Sequence, residues 1–195
     1  GDHLPLTCTL NATLAVDNLA RLLGIAREAV APATRQVVMP YLSGERLPNY
    51  PRARGTFAGI DHDTTAGELL LAAYEGVVYS LVSSLDVLAR HSSGLDAGAP
   101  LILIGGGARG KIWQQTVARL SGKRIIVPYC DELVAWGAAV QAAATLTDET
   151  PEDVARRWKI ARGTELEAVP RDDAAIERIT RVREAAHALN RRAVF

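Results

Sequence analysis

The chain has 195 residues, 48% of them apolar, and its basic and acidic side chains balance at 22 each. That apolar content can bury the core of one domain, while the balanced charge excludes the broad positive field that draws a protein onto nucleic acid or an anionic membrane. No apolar run approaches the roughly 20 residues of a membrane span and no secretory signal pattern follows Gly1, so a cytoplasmic location is the default expectation.

Leu14, Leu19, Leu22 and Leu23 recur at near-helical spacing and stop before Gly24, predicting a helix over Asn11 to Leu23 with a glycine cap. A second short helix is expected to run to Ala31. Val37, Val38 and Met39 before Pro40 predict a short buried strand within Gln36 to Leu42, and the Gly-, Pro- and charge-rich segment from Ser43 to Arg54 reads as a surface loop or elaborated connection. Thr65 and Glu68 form a capping box that opens the longest helix, ending near His91. Its stripe of Leu70, Ala73, Val77, Leu81, Leu85 and Leu88 is expected to be buried, with Glu75, Ser83 and Asp86 facing out or lining a groove. Leu101 to Ile104 is expected as a strand, followed by a glycine turn, a helix through Leu120 and a second strand from Arg124 to Val127, a parallel α/β unit. The small-residue helix from Leu133 to Thr145 is suited to very close packing. Thr150 and Pro151 open another helix, residues 161–171 read as a linker, and Asp172 to Arg192 closes the chain with Ile176, Ile179, Val182 and Leu189 on its apolar face.

Chemistry concentrates in the run from Leu101 to Lys111, where a strand joins a helix through Gly105, Gly106, Gly107, Ala108 and Gly110. Only glycine allows the positive φ and close backbone approach of such a turn, and the first amides of a helix favour an anionic guest. Three nucleotide patterns fit. The phosphate-loop pattern is met up to Lys111, but Ile112 stands where a magnesium-binding hydroxyl belongs. A dinucleotide fingerprint is met by Gly105, Gly107 and Gly110, with Asp131 and Glu132 as ribose ligands, which would make the chain an NAD-binding oxidoreductase domain. No metal site or Cys/His catalytic pair is supported by Cys8, Cys130, His3, His62, His91 and His187, which are scattered; the two cysteines read as buried free thiols.

The third pattern takes in most of the chain. Gly55, Phe57, Gly59 and Ile60, followed by Glu68, Leu69, Ala72, Ala73, Tyr74 and Glu75, meet every position of the downstream signature of the FGGY carbohydrate kinases. Pro40 to Pro48 resembles that family's Pro-Tyr-Leu-x-Gly-Glu-Arg-x-Pro loop apart from Leu47. Ile104 to Ala108 resembles its adenosine turn, and Gly137 to Ala139 its Leu-Gly-Ala-Ala helix, with Trp136 departing. The resemblance spans Leu6 to Ala144 and is closest to the xylulokinase branch.

The resemblance implies a helix-rich α/β domain of the ribonuclease H-like, actin-like ATPase class, lacking its first strands, with a core over about 6–145 and a helical tail over 150–195. It implies ATP with Mg2+ as the cofactor, the metal held mainly by ATP and by parts outside this chain. Gly105, Gly106, Gly107, Ala108 and Lys111 would lie along the adenosine, with Thr13 and Asp17 flanking its other side. Glu45 and Arg46 would either set a cation near phosphates or pin their own loop by an internal ion pair, and Glu75 reads as a solvated or capping acid. The family's catalytic aspartate and Gly-Thr-Ser phosphate loop are not found, so no catalytic residue is assigned and the chain alone is expected to be inactive. Asp61 and Asp63 read as turn and cap residues. The implied partners are ATP or ADP and an N-terminal sugar-binding domain, with a second copy as a further candidate; gluconate, glycerol and ribulose kinases share the motifs, and a bare assembly module is the non-enzymatic alternative.

Overall fold

The computed structural model describes residues 5–91, 96 and 98–188. The first helix, α1 (Thr13–Leu23), ends as its sequence predicts: Gly24 is left-handed at φ 68° and its N–H meets the Ala20 and Arg21 carbonyls. The core face of α1 is Ala15, Val16, Leu19 and Ala20, whereas Leu14 and Leu22 lie on the outer side. No helix runs to Ala31, because that segment gives its backbone groups to the next helix. The Ala31 N–H donates to the Gly67 carbonyl (3.1 Å) and the Arg27 carbonyl accepts from the Tyr74 hydroxyl (3.2 Å).

Strand β1 (Val37–Met39) pairs antiparallel with β2 (Thr56–Ala58), with Val38 opposite Phe57. The predicted strand is thus trimmed, and β2 lies within the Gly55–Gly59 signature, where no strand is anticipated. Between them the chain folds on itself: Glu45 and Tyr50 exchange both backbone hydrogen bonds at 2.9 Å, and Tyr41, Tyr50 and Ala53 are buried. The connection is therefore a packed element whose Tyr41, Tyr50 and Ala53 belong to the main core.

Helix α2 (Ala66–His91) opens on the capping box, the Thr65 N–H reaching the Glu68 carboxylate at 2.9 Å and the Glu68 N–H reaching Thr65 Oγ1 at 3.3 Å. At Gly76 a Cβ would stand 1.9 Å from the Val38 carbonyl oxygen, so only glycine lets α2 cross β1 in backbone contact. This helix is long and apolar enough to cross a membrane by composition, contrary to the sequence expectation, but 67% of its most apolar window is buried within the chain.

Strand β3 (Leu101–Ile102) runs parallel to β4 (Ile125–Pro128), with α3 (Lys111–Ser121) crossing between them, the α/β unit the pattern predicts. Leu103 prolongs the ladder through its N–H to the Ile126 carbonyl at 2.9 Å. On the other side, β5 (Gly163–Leu166) pairs antiparallel with β4 in the stretch expected to be linker. Its polar side chains face out, and Glu165 meets Arg124 across the pair at 3.6 Å.

Helices α4 (Leu133–Thr147) and α5 (Pro151–Trp158) pack on each other through Val140, Ala144 and Val154. Only part of the small-residue surface of α4 is packed: Ala143 and Ala144 meet α5, whereas among the described residues Gly137 meets open space and Val134 and Leu146 are more than four-fifths exposed. Helix α6 (Asp173–Ala185), capped by Asp172, returns to β1, α2 and α3; Ile176, Ile179 and Val182 join the core, while Leu189 and the rest of the predicted helix to Arg192 lie outside the described residues. Glu75 fastens this closure. It is buried on α2 and binds Arg119 of α3 (2.6 Å) and Arg178 of α6 (3.0 Å), so it is neither solvated nor a cap. Both cysteines are free, but Cys8 is exposed and Cys130 only partly covered, since neither lies on a core-facing stretch.

Candidate functional site

At the end of β3 the chain turns at Gly105, with φ 89° and ψ 174°, a conformation essentially restricted to glycine. Residues Gly106–Arg109 form one turn of 3-10 helix, and Gly110 leads into α3. The Ala108 and Gly110 N–H groups donate back to Gly105 and Gly107, both at 3.0 Å, while the Gln114 side chain donates to the Ala108 carbonyl at 2.8 Å. The turn is thereby held rigidly from within and from the first turn of α3.

The glycines have different reasons to be glycine. A Cβ on Gly107 would stand 2.4 Å from Cγ2 of Thr13, and one on Gly110 would stand 3.1 Å from the Trp113 ring. At Gly105 and Gly106 a Cβ would meet nothing within 4 Å. Two positions are therefore filled by protein, and two present bare backbone to open space.

That space is a cavity of about 260 Å³ lined by the turn, Ala12 and Thr13 of the α1 entry, Leu81 of α2, and Trp113 and Val117 of α3. Its side-chain walls are apolar apart from Thr13 and the Trp113 indole. The Trp113 ring is nearly buried, edge-on to Tyr74 at 5.1 Å between centroids, and its indole N–H has no hydrogen-bond partner among the described residues. A buried unpaired donor is costly; Trp113 lines the cavity, while its indole nitrogen is covered and lies on the Gly107 side of the ring. Trp113 and Leu81 escape a sequence reading because an aromatic and a leucine at helical spacing read as core. The available signal is that Trp113 occupies the first turn of α3, where side chains lean back toward the helix start.

The structure brings Thr13 together with Gly105, Gly106, Gly107 and Ala108. It does not bring Asp17 or Lys111 into this cavity: Asp17 pairs with Arg27 at 3.3 Å, and Lys111 stands exposed at the head of α3. Asp131, a ribose ligand in the dinucleotide pattern, is paired with Arg109.

Glu45 acts from behind the site. Its buried carboxylate accepts from the N–H groups of Leu10 and Arg46, both at 2.7 Å, and from Asn11 Nδ2 at 3.0 Å, while Asn11 also donates to the Gly44 carbonyl at 2.7 Å. This fixes the two residues before the α1 entry, and with them Ala12 and Thr13 against the glycine turn. The loop is pinned through amides, not through the ion pair with Arg46 that its sequence suggests; the Arg46 guanidinium instead meets Cys8 Sγ at 3.3 Å. Among the described residues no group of three or more His, Cys, Asp or Glu side chains could hold a metal ion.

A profile of the FGGY family of carbohydrate kinases, C-terminal domain, matches residues 6–146, nearly the extent of the resemblance carried by the motifs. A xylulose kinase of Streptomyces rubiginosus is 57% identical over 182 residues, which cover 93% of this chain and 37% of that protein. A xylulose kinase of Escherichia coli is 40% identical over 111 residues, covering 56% and 22%. Among solved structures, the xylulose kinase from Bifidobacterium adolescentis superposes with a TM-score of 0.70 at 28% identity over 90% of this chain and 35% of that one. The Plasmodium falciparum glycerol kinase with ADP gives a TM-score of 0.62 at 21% identity over 95% and 34%, a likeness of fold alone. The chain spans 37% of the length of the Streptomyces relative.

Proposed function

Since the chain belongs to the FGGY family of carbohydrate kinases, as the C-terminal domain, we propose that it is the nucleotide-binding part of a cytoplasmic kinase that transfers the γ-phosphoryl of ATP to a hydroxyl of D-xylulose. The observation that carries this reading is the cavity at the glycine turn, where bare backbone at Gly105 and Gly106 opens onto a space lined mainly by apolar side chains, Leu81, Trp113 and Val117 among them. A purine lies flat against such backbone, with Leu81, Thr13 and the Trp113 ring closing the space around it. The cavity falls just under the roughly 300–1,000 Å³ of drug-sized sites, so it takes base and ribose and leaves the phosphates to project outward.

Phosphoryl transfer depends on positioning and charge stabilisation. This chain's share is to hold the nucleoside end rigidly, through the 3-10 turn and through Glu45 behind the α1 entry, so that the γ-phosphoryl points in one direction. Mg2+ bound to the phosphates would supply charge neutralisation, and among the described residues no acidic, histidine or cysteine cluster would hold it. The sugar pocket and the general base belong to the remaining length that the relatives carry, and the chain alone is inactive. Exposed Ile102 and Ile104 at the sheet edge, and the exposed apolar face of α4, support a docked partner domain there.

The test is a calorimetric titration of the chain with ADP and with NADH, on the native sequence and on Gly106→Val. Saturable ADP binding that exceeds NADH binding and is lost in Gly106→Val, with an unchanged melting temperature, is expected. Preference for NADH, or ADP binding indifferent to Gly106→Val, refutes the assignment.

A further inference from the structure

A second cavity, of about 340 Å³, lies against another face of α2, closed by α6 and by Leu47 and Pro48 of the packed connection. Its size falls within the range of small-molecule sites, and nothing in the nucleotide reading uses it. Three arginines converge on it from separate elements, Arg90 from the end of α2, Arg171 from before α6 and Arg183 from α6, against the single carboxylate of Asp86. Arg171 spends one contact on Asp173 (3.2 Å), and Arg183 lies over the Tyr79 ring at 5.1 Å. Neither Arg90 nor Arg183 has an ion-pair partner among the described residues.

The floor of the cavity is Tyr41. The residue is fully buried, yet its hydroxyl has no hydrogen-bond partner among the described residues. Neighbouring Ser80, whose hydroxyl donates to the Gly76 carbonyl at 3.1 Å, keeps acceptor capacity and lies near enough to act on the phenol, but no hydrogen bond of ordinary geometry joins the two. Burial pushes the phenol up to about 12, with Ser80 and Arg183 pulling weakly the other way, so the group is a neutral donor at physiological pH. A fully buried, unsatisfied hydroxyl at the base of a cavity with an arginine-rich mouth is a costly arrangement for an empty space. Guanidinium forks match phosphate oxygens bidentately, and the Ser83 and Tyr41 hydroxyls suit a polyol.

We propose that this cavity binds a sugar-sized phosphomonoester, its phosphate held by Arg90, Arg171 and Arg183 and its sugar hydroxyls reaching Tyr41. The ligand is distinct from the nucleotide at the glycine turn, and the two sites contact different faces of α2.

The probe is ribose 5-phosphate, titrated calorimetrically into the 195-residue chain at low ionic strength, with D-ribose as the uncharged control. Saturable binding of the phosphate ester, weakening as salt rises, is expected, with no binding of ribose and no displacement by saturating ADP. The double variant Arg90→Gln, Arg183→Gln should weaken binding by at least about tenfold, the scale of lost charged hydrogen bonds. Tyr41→Phe should weaken it by about threefold to tenfold while leaving the melting temperature unchanged or higher, since the hydroxyl has no partner in the free protein. Absence of saturable binding, displacement by ADP, or equal affinity in the arginine variant overturns the proposal. Absence of saturable binding and equal affinity in the arginine variant leave ADP binding at the turn untouched, whereas displacement by ADP would put both ligands in one site.

Discussion

Replacing Gly107 with alanine, alone and together with Thr13→Ser, isolates the contact that joins α1 to the glycine turn. The added Cβ would stand 2.4 Å from Thr13 Cγ2, with the next atoms, Thr13 Cβ and Trp113 Nε1, at 3.8 Å. Carbon atoms rest at about 3.5–4.0 Å, so a single methyl group accounts for the whole overlap. Overpacking of this kind costs about 1–3 kcal/mol, and the gain from a stiffer unfolded chain returns about 0.4–1 kcal/mol. A net loss of about 1–2 kcal/mol is therefore expected for Gly107→Ala. Serine at position 13 keeps the hydroxyl and removes the offending methyl, so the double variant should recover most of that loss. Urea denaturation followed by far-ultraviolet circular dichroism reads the cycle, and a coupling of at least about 1 kcal/mol is expected. Additivity within about 0.5 kcal/mol would show that Thr13 does not rest on Gly107 and would refute the geometry of the site.

Glu75→Ala leaves Arg119 and Arg178 facing each other across α2, α3 and α6. The loss should lie near about 3 kcal/mol, the lower end for a broken buried pair, because both arginines keep partial exposure; a change below about 0.5 kcal/mol by urea denaturation would contradict the clamp. Asp172 bears on acid stability. Burial raises its carboxyl, but the Ala175 N–H and the Arg119 guanidinium outweigh this and hold it below its ordinary value. The stabilisation is then fully present above the unfolded value of about 3.9 and is lost as pH falls through the lower folded value. In Asp172→Asn the acid limb of the stability curve should be shallower; an identical limb would exclude this contribution.

The signals legible in the sequence were those that local geometry writes into a few neighbouring residues. The capping box at Thr65 and Glu68, the left-handed Gly24 and the positive φ at Gly105 all arise within four residues of their cause. The α/β unit was legible because apolar runs at Leu101 and Ile125 flank a helical stretch. Strands β2 and β5 were not, since each has three or four residues and is fixed by its partner strand more than by its own pattern. Glu75 looked like a surface acid because its arginines lie 44 and 103 residues away. In the site, the glycines announced an open backbone, but sequence could not show that Gly107 and Gly110 are filled by Thr13 and Trp113. Trp113 itself became visible only when its N–H proved buried and unpaired.

The chain has three tryptophans, Trp113, Trp136 and Trp158, of which the last two pack on each other away from the turn. A proton–nitrogen correlation spectrum therefore carries three indole N–H signals, and ADP can be titrated against all of them at once. A saturating shift of the Trp113 signal, with those of Trp136 and Trp158 unmoved, is the predicted result. Binding of ADP that leaves Trp113 in place, or a spectrum indifferent to ADP, would contradict the placement of a nucleotide on the glycine turn.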